Sequence, residues 1–181
     1  MRESAKERGE VGKVASQGEL ILQRGEWKRN GKRIVLVTGV FDLLHPGHVR
    51  LLEQARSLGD ILVVGVASDA SVRAVMMRER SGDSRRSGIE RPITPAAERA
   101  EILAALEAAD YVAEFEEPTA QKFIAAMAPE ARVKGGRKDA EDSSAKEDAE
   151  NESMGIKTIY VPLEPGYSTT SLLDRITQLR A

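Results

Sequence analysis

At 181 residues, 41% of them hydrophobic, the chain has the length of one α/β domain with a modest extension and enough apolar content for a core. A net charge of -2 gives no bulk case for a nucleic-acid partner, and the lack of cysteine excludes disulfides, a thiol nucleophile and cysteine-ligated zinc or iron–sulfur sites. Met1 to Arg8 lacks the apolar segment of a signal peptide and no stretch approaches the roughly 20 apolar residues of a membrane span, so a soluble, cytoplasmic protein with no membrane partner is expected.

Residues 1–30 read as a polar N-terminal extension, partly helical, and residues 31–181 as the domain proper. Gly9, Gly12 and Gly18 break any pattern in residues 1–18, where a loose lead-in is expected, and Leu20, Ile21, Leu22 and Trp27 suit a short helix within 19–29. Ile34-Val35-Leu36-Val37 is a β-branched and aliphatic run of the kind found in a strand buried on both faces. Pro46 sits well at the start of a helix running to about Leu58, with Leu51, Leu52, Ala55 and Leu58 inward and Gly59 ending it. A second buried strand, Ile61 to Val66, runs into Ser68-Asp69. Helices are expected over 97–108, 118–127 and 169–180, and short strands at Tyr111-Val112-Ala113, Arg132-Val133-Lys134 and Thr158 to Val161. Residues 77–90 and 137–153 read as irregular.

Strands alternating with helices indicate a Rossmann-like, doubly wound parallel α/β sheet of about five strands with helices on both faces. Such sheets bind ligands beyond the carboxyl ends of their strands, where the strand order reverses. His45 and His48 follow the first strand, Asp69 the second, Lys134 to Gly136 the fourth and Ser168 to Thr170 the fifth.

Both histidines of the chain lie in His45-Pro46-Gly47-His48, so at i and i+3 across a helix start they can face the same way. A helix N-terminus offers free N–H groups and partial positive charge, and Gly47, like Gly39 before it, leaves room for phosphate beside the backbone. Two imidazoles are too few for a closed zinc site without a third His or Cys, so the pair reads as an anion site. Ser168-Thr169-Thr170 heads the last helix, where capping and phosphate binding can coexist. Asp69 suits either a hydroxyl ligand or a helix cap. Arg99, directly after Glu98 on a helix, fits a surface ion pair, whereas Lys134 ends a buried strand and would be costly there without a partner. The chain has no G-x-x-x-x-G-K-[ST] loop and no G-x-G-x-x-G after the first strand.

Thr38-Gly39-Val40-Phe41-Asp42-Leu43-Leu44-His45-Pro46-Gly47-His48 resembles the signature of the cytidylyltransferase-like superfamily, and Ser168-Thr169-Thr170 is similar to the second signature of its cytidylyltransferase branch. Within it, His45 to Asp60, Val66 to Ser71, Arg91-Pro92-Ile93, Glu98-Arg99, Leu106 to Val112, Phe115 to Thr119 and Val133 to Gly136 resemble the adenylyltransferase domain of bacterial ADP-heptose synthesis, over about residues 30–180. The resemblance implies transfer of AMP from ATP, with Mg²⁺, to the sugar phosphate D-glycero-β-D-manno-heptose 1-phosphate, giving ADP-heptose and pyrophosphate for the lipopolysaccharide core. It also implies a tendency to form homodimers. No sugar-kinase sequence accompanies these residues, so the stand-alone form is expected.

Carried over by position, the resemblance makes His45, His48 and Lys134 catalytic. It assigns Thr38, Gly39, Phe41, Arg99, Gly135 and Ser168, Thr169 and Thr170 to the nucleotide, and Asp42, Asp69, Arg78 and Gly136 to the substrate; no residue is assigned to a metal. The chain departs from the family at two places. A lysine-glycine pair is replaced by Met76 to Gly82, where Arg78, Arg80 or Arg85 takes the lysine's part, and Arg137-Lys138-Asp139 stands where an acidic residue and a tyrosine are usual. A cytidylyltransferase acting on glycerol 3-phosphate or a phosphoalcohol, and a catalytically silent nucleotide-binding module, are the alternatives.

Overall fold

The structure, a computed structural model, describes residues 13–79, 90–136 and 142–179. Five strands, β1 (Ile34–Gly39), β2 (Ile61–Ala67), β3 (Tyr111–Phe115), β4 (Ala131–Gly135) and β5 (Lys157–Val161), form one sheet. Its order is β3-β2-β1-β4-β5 and every pairing is parallel. Seven helices are described: α1 (Gln17–Arg29), α2 (Pro46–Arg56), α3 (Asp69–Glu79), α4 (Ala96–Ala104), α5 (Gln121–Met127), α6 (Asp142–Ser153) and α7 (Thr169–Gln178). The five strands lie where the hydrophobic runs place them. No described helix is long and apolar enough to cross a membrane.

Alternation along β1 divides the core. Ile34 and Leu36 face a cluster built with Leu20 and Trp27 of α1 and Phe123, Ile124 and Met127 of α5. Val35 and Val37 face a second cluster built with Leu51, Leu52 and Ala55 of α2 and Ala100 and Leu103 of α4. Burial on both faces is what a central parallel strand requires, and it explains a run of β-branched and aliphatic residues with no polar alternation. The chain moves outward from β1 through β2 to β3, then returns to the other side of β1 for β4 and β5. The reversal places a crevice between the carboxyl ends of β1 and β4.

Several boundaries differ from the sequence-based expectation. Within the expected loose lead-in, Val14 bridges to Val112 in parallel, and the Ala15 N–H donates to the Val112 carbonyl at 3.0 Å. Ser16 then opens α1 with a capping box: its hydroxyl accepts from the Glu19 N–H and the Glu19 carboxylate accepts from the Ser16 N–H. Residues 1–12 lie outside the described residues. α4 ends at Ala104 instead of 108, where Leu106 N–H turns back to the Leu103 carbonyl and Lys13 Nζ donates to the Ala104 and Leu106 carbonyls. α5 starts at Gln121, with Pro118-Thr119 in the preceding turn.

Two helices were not foreseen from the sequence. α3 is capped by Ser68, whose hydroxyl accepts from the Ser71 N–H at 3.0 Å, and it reaches Glu79, into the segment read as irregular; residues 80–89 lie outside the described residues. α6 occupies most of 137–153. Its sequence, Asp142 to Ser153, contains no apolar side chain larger than alanine, so no hydrophobic periodicity announces it.

Gly65 at the centre of β2 has a packing reason: a Cβ there would lie 2.9 Å from Phe123 Cε1 and 3.0 Å from Thr38 Cγ2. Gly65→Ala is therefore expected to cost about 1–3 kcal/mol by overpacking. Phe123→Leu in the same chain should recover part of that loss, as read from urea midpoints of the two single variants and the double variant.

Candidate nucleotide-binding site

The crevice begins where β1 ends. Gly39 leaves space that the Phe41 ring fills: a Cβ at 39 would stand 3.0 Å from Phe41 Cε2. Phe41 adopts φ 53, a left-handed conformation that a bulky residue adopts only under constraint from its surroundings. Its buried ring meets His48 edge-on with centroids 5.3 Å apart. His48 in turn stacks on His45 at 3.8 Å and 20°. Gly47 sits under the pair; a Cβ there would press on the His45 ring at 3.0 Å from Nδ1 and 3.1 Å from Cε1.

His45 is the N-cap residue of α2 in extended backbone, and its side chain makes no capping hydrogen bond. Pro46 brings no N–H, so the first turn of the helix is left open to an anion. The Nδ1 atoms of both histidines are buried and have no hydrogen-bond partner within the protein. Burial, with His45 adjacent, lowers the pKa of His48 from 6.5 to about 4. Burial also lowers that of His45, against an opposing hydrogen bond from its own backbone. At neutral pH both rings are neutral, each with one N–H donor.

The start of α7 lies against this pair. Tyr167 is 6.5 Å from His45, centroid to centroid and nearly parallel, and its Cβ would touch a side chain at position 47. Arg50 of α2 latches the loop from below: Nη1 is 2.6 Å from Glu164 Oε2 and Cζ is 5.7 Å from the centre of the Tyr167 ring. Leu163 closes the same loop over Gly135, where a Cβ would meet its Cδ2 at 2.8 Å. Ser168 caps α7 by accepting from the Ser171 N–H at 3.0 Å, leaving Thr169 half-buried and Thr170 exposed. Two helix N-termini thus face one crevice.

The remaining positions named from sequence fall into two groups. Thr38 stands on the opposite face of β1, beside Gly65. Lys134, at the end of β4, has its Nζ 3.2 Å from Glu147 Oε2 and 3.7 Å from Asp148 Oδ1, both on α6. Gly135 leaves room for Leu163, and Gly136 adopts φ 122, a backbone state suited to glycine.

Asp42, Asp69 and Arg99 hold loops together. The Asp42 side chain has no exposed surface and accepts from Arg91 Nε at 2.9 Å, from the Ile93 N–H at 2.8 Å and from the Thr94 N–H at 2.9 Å. It has no face to offer a substrate. Arg99 is not in a surface ion pair with Glu98. Its side chain is wholly buried, Nη2 lies 2.6 Å from Asp69 Oδ1, and its other donors go to the Thr94 and Val40 carbonyls. Asp69 does not cap α3, since Ser68 does, and its part-exposed carboxylate serves Arg99. Arg78 lies on α3, but its side chain is not among those described; Arg80 and Arg85 lie outside the described residues. Among the described residues no group of three or more His, Asp or Glu side chains gathers to hold a metal ion.

Sequence reasoning gave no role to Arg50, Glu164, Tyr167, Arg91 or the Glu147–Asp148 pair. The Tyr167 signal was present in its position directly before the Ser168 cap. The others act through partners 12 to 117 positions away in the chain, which no local pattern reveals.

The described geometry agrees with the comparisons. The family model "Cytidylyltransferase-like" matches residues 36–175. The bifunctional protein HldE of Rhodopseudomonas palustris is 42% identical over 162 residues, 90% of this chain and 30% of that protein. Its counterpart in Koribacter versatilis is 44% identical over 163 residues, 90% of this chain and 31% of that protein. The chain therefore spans about 30% of the length of these relatives. Among solved structures, the lipopolysaccharide core biosynthesis protein from Thermoplasma volcanium superposes with a TM-score of 0.57 at 27% identity, over 74% of this chain and 98% of that one. Pantoate-β-alanine ligase from Francisella tularensis shares the fold, with a TM-score of 0.59 at 14% identity over 94% of this chain and 80% of that one. Taken with the histidine pair at the strand-order reversal, the match over residues 36–175 places the chain in the cytidylyltransferase-like family of nucleotidyltransferases.

Proposed function

We propose that this chain transfers AMP from ATP to D-glycero-β-D-manno-heptose 1-phosphate, releasing pyrophosphate and forming ADP-heptose. The observation that carries the reaction class is the stacked, neutral histidine pair at the open N-terminus of α2, facing the N-terminus of α7. The acceptor rests on the motif resemblance across residues 30–180. Support also comes from the likeness to a lipopolysaccharide core biosynthesis protein, and from the match to about one third of proteins named as bifunctional.

In this reading a phosphate oxygen of the sugar 1-phosphate attacks the α-phosphorus of ATP. The new oxygen–phosphorus bond forms as the bond from that phosphorus to the bridging oxygen breaks, and pyrophosphate leaves with the electron pair. The attacking oxygen is already ionised, so no general base is needed, and the protein contributes position and charge stabilisation. His45 and His48 donate to the phosphate oxygens, the helix termini add their dipoles, and Ser168 to Thr170 border the phosphates. Asp42 and Arg99 act at one remove, by fixing the turn that presents His45. Mg²⁺ is taken to enter with the triphosphate as part of the substrate.

Pyrophosphate release from Mg·ATP with the heptose 1-phosphate tests the reading, and His48→Ala is expected to lower kcat/KM about 100-fold or more. Preference for CTP with another phosphate acceptor would overturn the heptose reading while keeping the reaction class. ATP bound without turnover across sugar phosphates would point to a silent module. Gly47→Ala should leave the melting temperature near that of the wild type while lowering turnover about tenfold or more, since the added methyl displaces the His45 ring.

The titration of His48 has a defined sign. Because its folded value lies near 4 and the ordinary value is 6.5, the unfolded chain takes up a proton between those pH values that the folded chain does not. The folded protein should therefore lose stability as pH falls from 6.5 towards 4. Phosphates beside the ring act the other way, raising its pKa, so nucleotide binding near pH 6 should take up protons. Calorimetry in two buffers of different ionisation enthalpy would measure that uptake, and His48→Ala should reduce it.

A further inference from the structure

α6 is attached to the sheet by charge and hydrogen bonds. Arg132 and Lys134 stand two apart on β4, and across the β4–β5 pairing they face Thr158 and Tyr160. All four therefore share one face of the sheet. Glu147 of α6 places a single oxygen, Oε2, between the two cations, 3.0 Å from Arg132 Nη1 and 3.2 Å from Lys134 Nζ. Asp148 accepts from the Tyr160 hydroxyl with Oδ2 at 2.5 Å and turns Oδ1, buried and without a hydrogen-bond partner, to within 3.7 Å of Lys134 Nζ. Tyr160 adds its ring, 5.7 Å from the same ammonium. Asn151, fully buried, donates to Thr158 Oγ1 at 3.3 Å. The Lys134 side chain is 19% exposed, and that of Arg132 is 7% exposed.

Two cations on alternate positions of one strand repel one another when buried, and an unopposed ammonium would swing out to water. Glu147 sets one negative charge between both, and Asp148 brings a second close to Lys134. Asp148 and Tyr160 restrict the ammonium further without using all three of its N–H donors. We propose that Glu147 and Asp148 are positioning residues that hold Lys134 at the end of β4 with donor capacity left for a phosphate of the nucleotide. The proposal rests on the nucleotidyl-transfer reading and deepens it: it names the carboxylates through which one phosphate-binding cation is aimed.

A double-variant cycle tests this. Glu147→Gln, Lys134→Met and the pair are compared by kcat/KM for Mg·ATP, by affinity for α,β-methylene-ATP, and by melting temperature. Glu147→Gln is expected to weaken both nucleotide readouts about tenfold, Asp148→Asn a few-fold, and Glu147→Asp less than Glu147→Gln. In the Lys134→Met background, Glu147→Gln should cost less than about twofold, because the group it aims is gone. An equal loss in both backgrounds would reduce Glu147 to a structural role, and no nucleotide effect of Lys134→Met would remove the premise; either overturns the proposal. If the wild type turns over no sugar phosphate, the function reading fails, yet the analogue affinities still decide the cycle.

Discussion

Two buried charges hold the carboxyl end of β1, and the candidate site depends on them. Asp42 gathers Arg91 and the N–H groups of Ile93 and Thr94, while Arg99 gathers the carbonyls of Val40 and Thr94 and the carboxylate of Asp69. Thr94 belongs to both sets, which ties the turn after β1, the segment before α4 and the start of α3 into one unit. Burying a charge costs several kcal/mol, and such pairs are weak sources of net stability compared with apolar packing. Their evident return here is geometric. The turn from Val40 to Leu44 has no regular hydrogen-bond ladder, yet it must set the angle at which α2 starts. With the turn fixed by ionic ties, Phe41 is held at its left-handed φ, His48 packs on its ring, and His45 packs on His48.

Among the described residues, the site carries little net positive charge of its own. Both histidines are neutral near pH 7, Arg99 is balanced by Asp69, and Lys134 is balanced by Glu147 with Asp148 close by. Attraction for an anion then comes from the helix N-termini of α2 and α7 and from N–H donors already in place. Such groups need no reorganisation when charge develops, which is the property that favours a transition state over a ground state. A triphosphate would shift the histidines towards protonation, so part of the positive charge arrives only with the ligand.

The strands and α2 were legible because burial on two faces, or on one helical stripe, writes itself into the order of apolar residues. The histidine pair was legible because its spacing and its place after a buried strand are local facts. Direction of side chains was not. Arg99 follows Glu98 on a helix that looked exposed at that point, and only the approach of the β1 turn and Asp69 shows that it is enclosed. Asp42 carries the same lesson: its place in the motif suggested contact with substrate, but its oxygens are already occupied by the segment from Arg91 to Thr94, about 50 positions later. α6 escaped detection for a different reason, since periodicity reports helices that dock by apolar faces and this one docks by carboxylates.

That contrast separates two regions at the carboxyl ends of β1 and β4 that are held by different forces. Around His45 and His48, position is set by ring packing, by glycines that admit it, and by ion pairs whose Asp42 and Arg99 side chains are wholly buried and so little screened by salt. Around Lys134, position is set by part-exposed ion pairs, whose strength falls as screening shortens the reach of charge to about 8 Å at physiological ionic strength. The phosphates that meet the histidines would therefore find a rigid cradle under most conditions. Lys134 is a cation whose placement varies with ionic environment and with Glu147 and Asp148 of α6, so under the proposed reading substitutions there would retune phosphate affinity without disturbing the β1 turn.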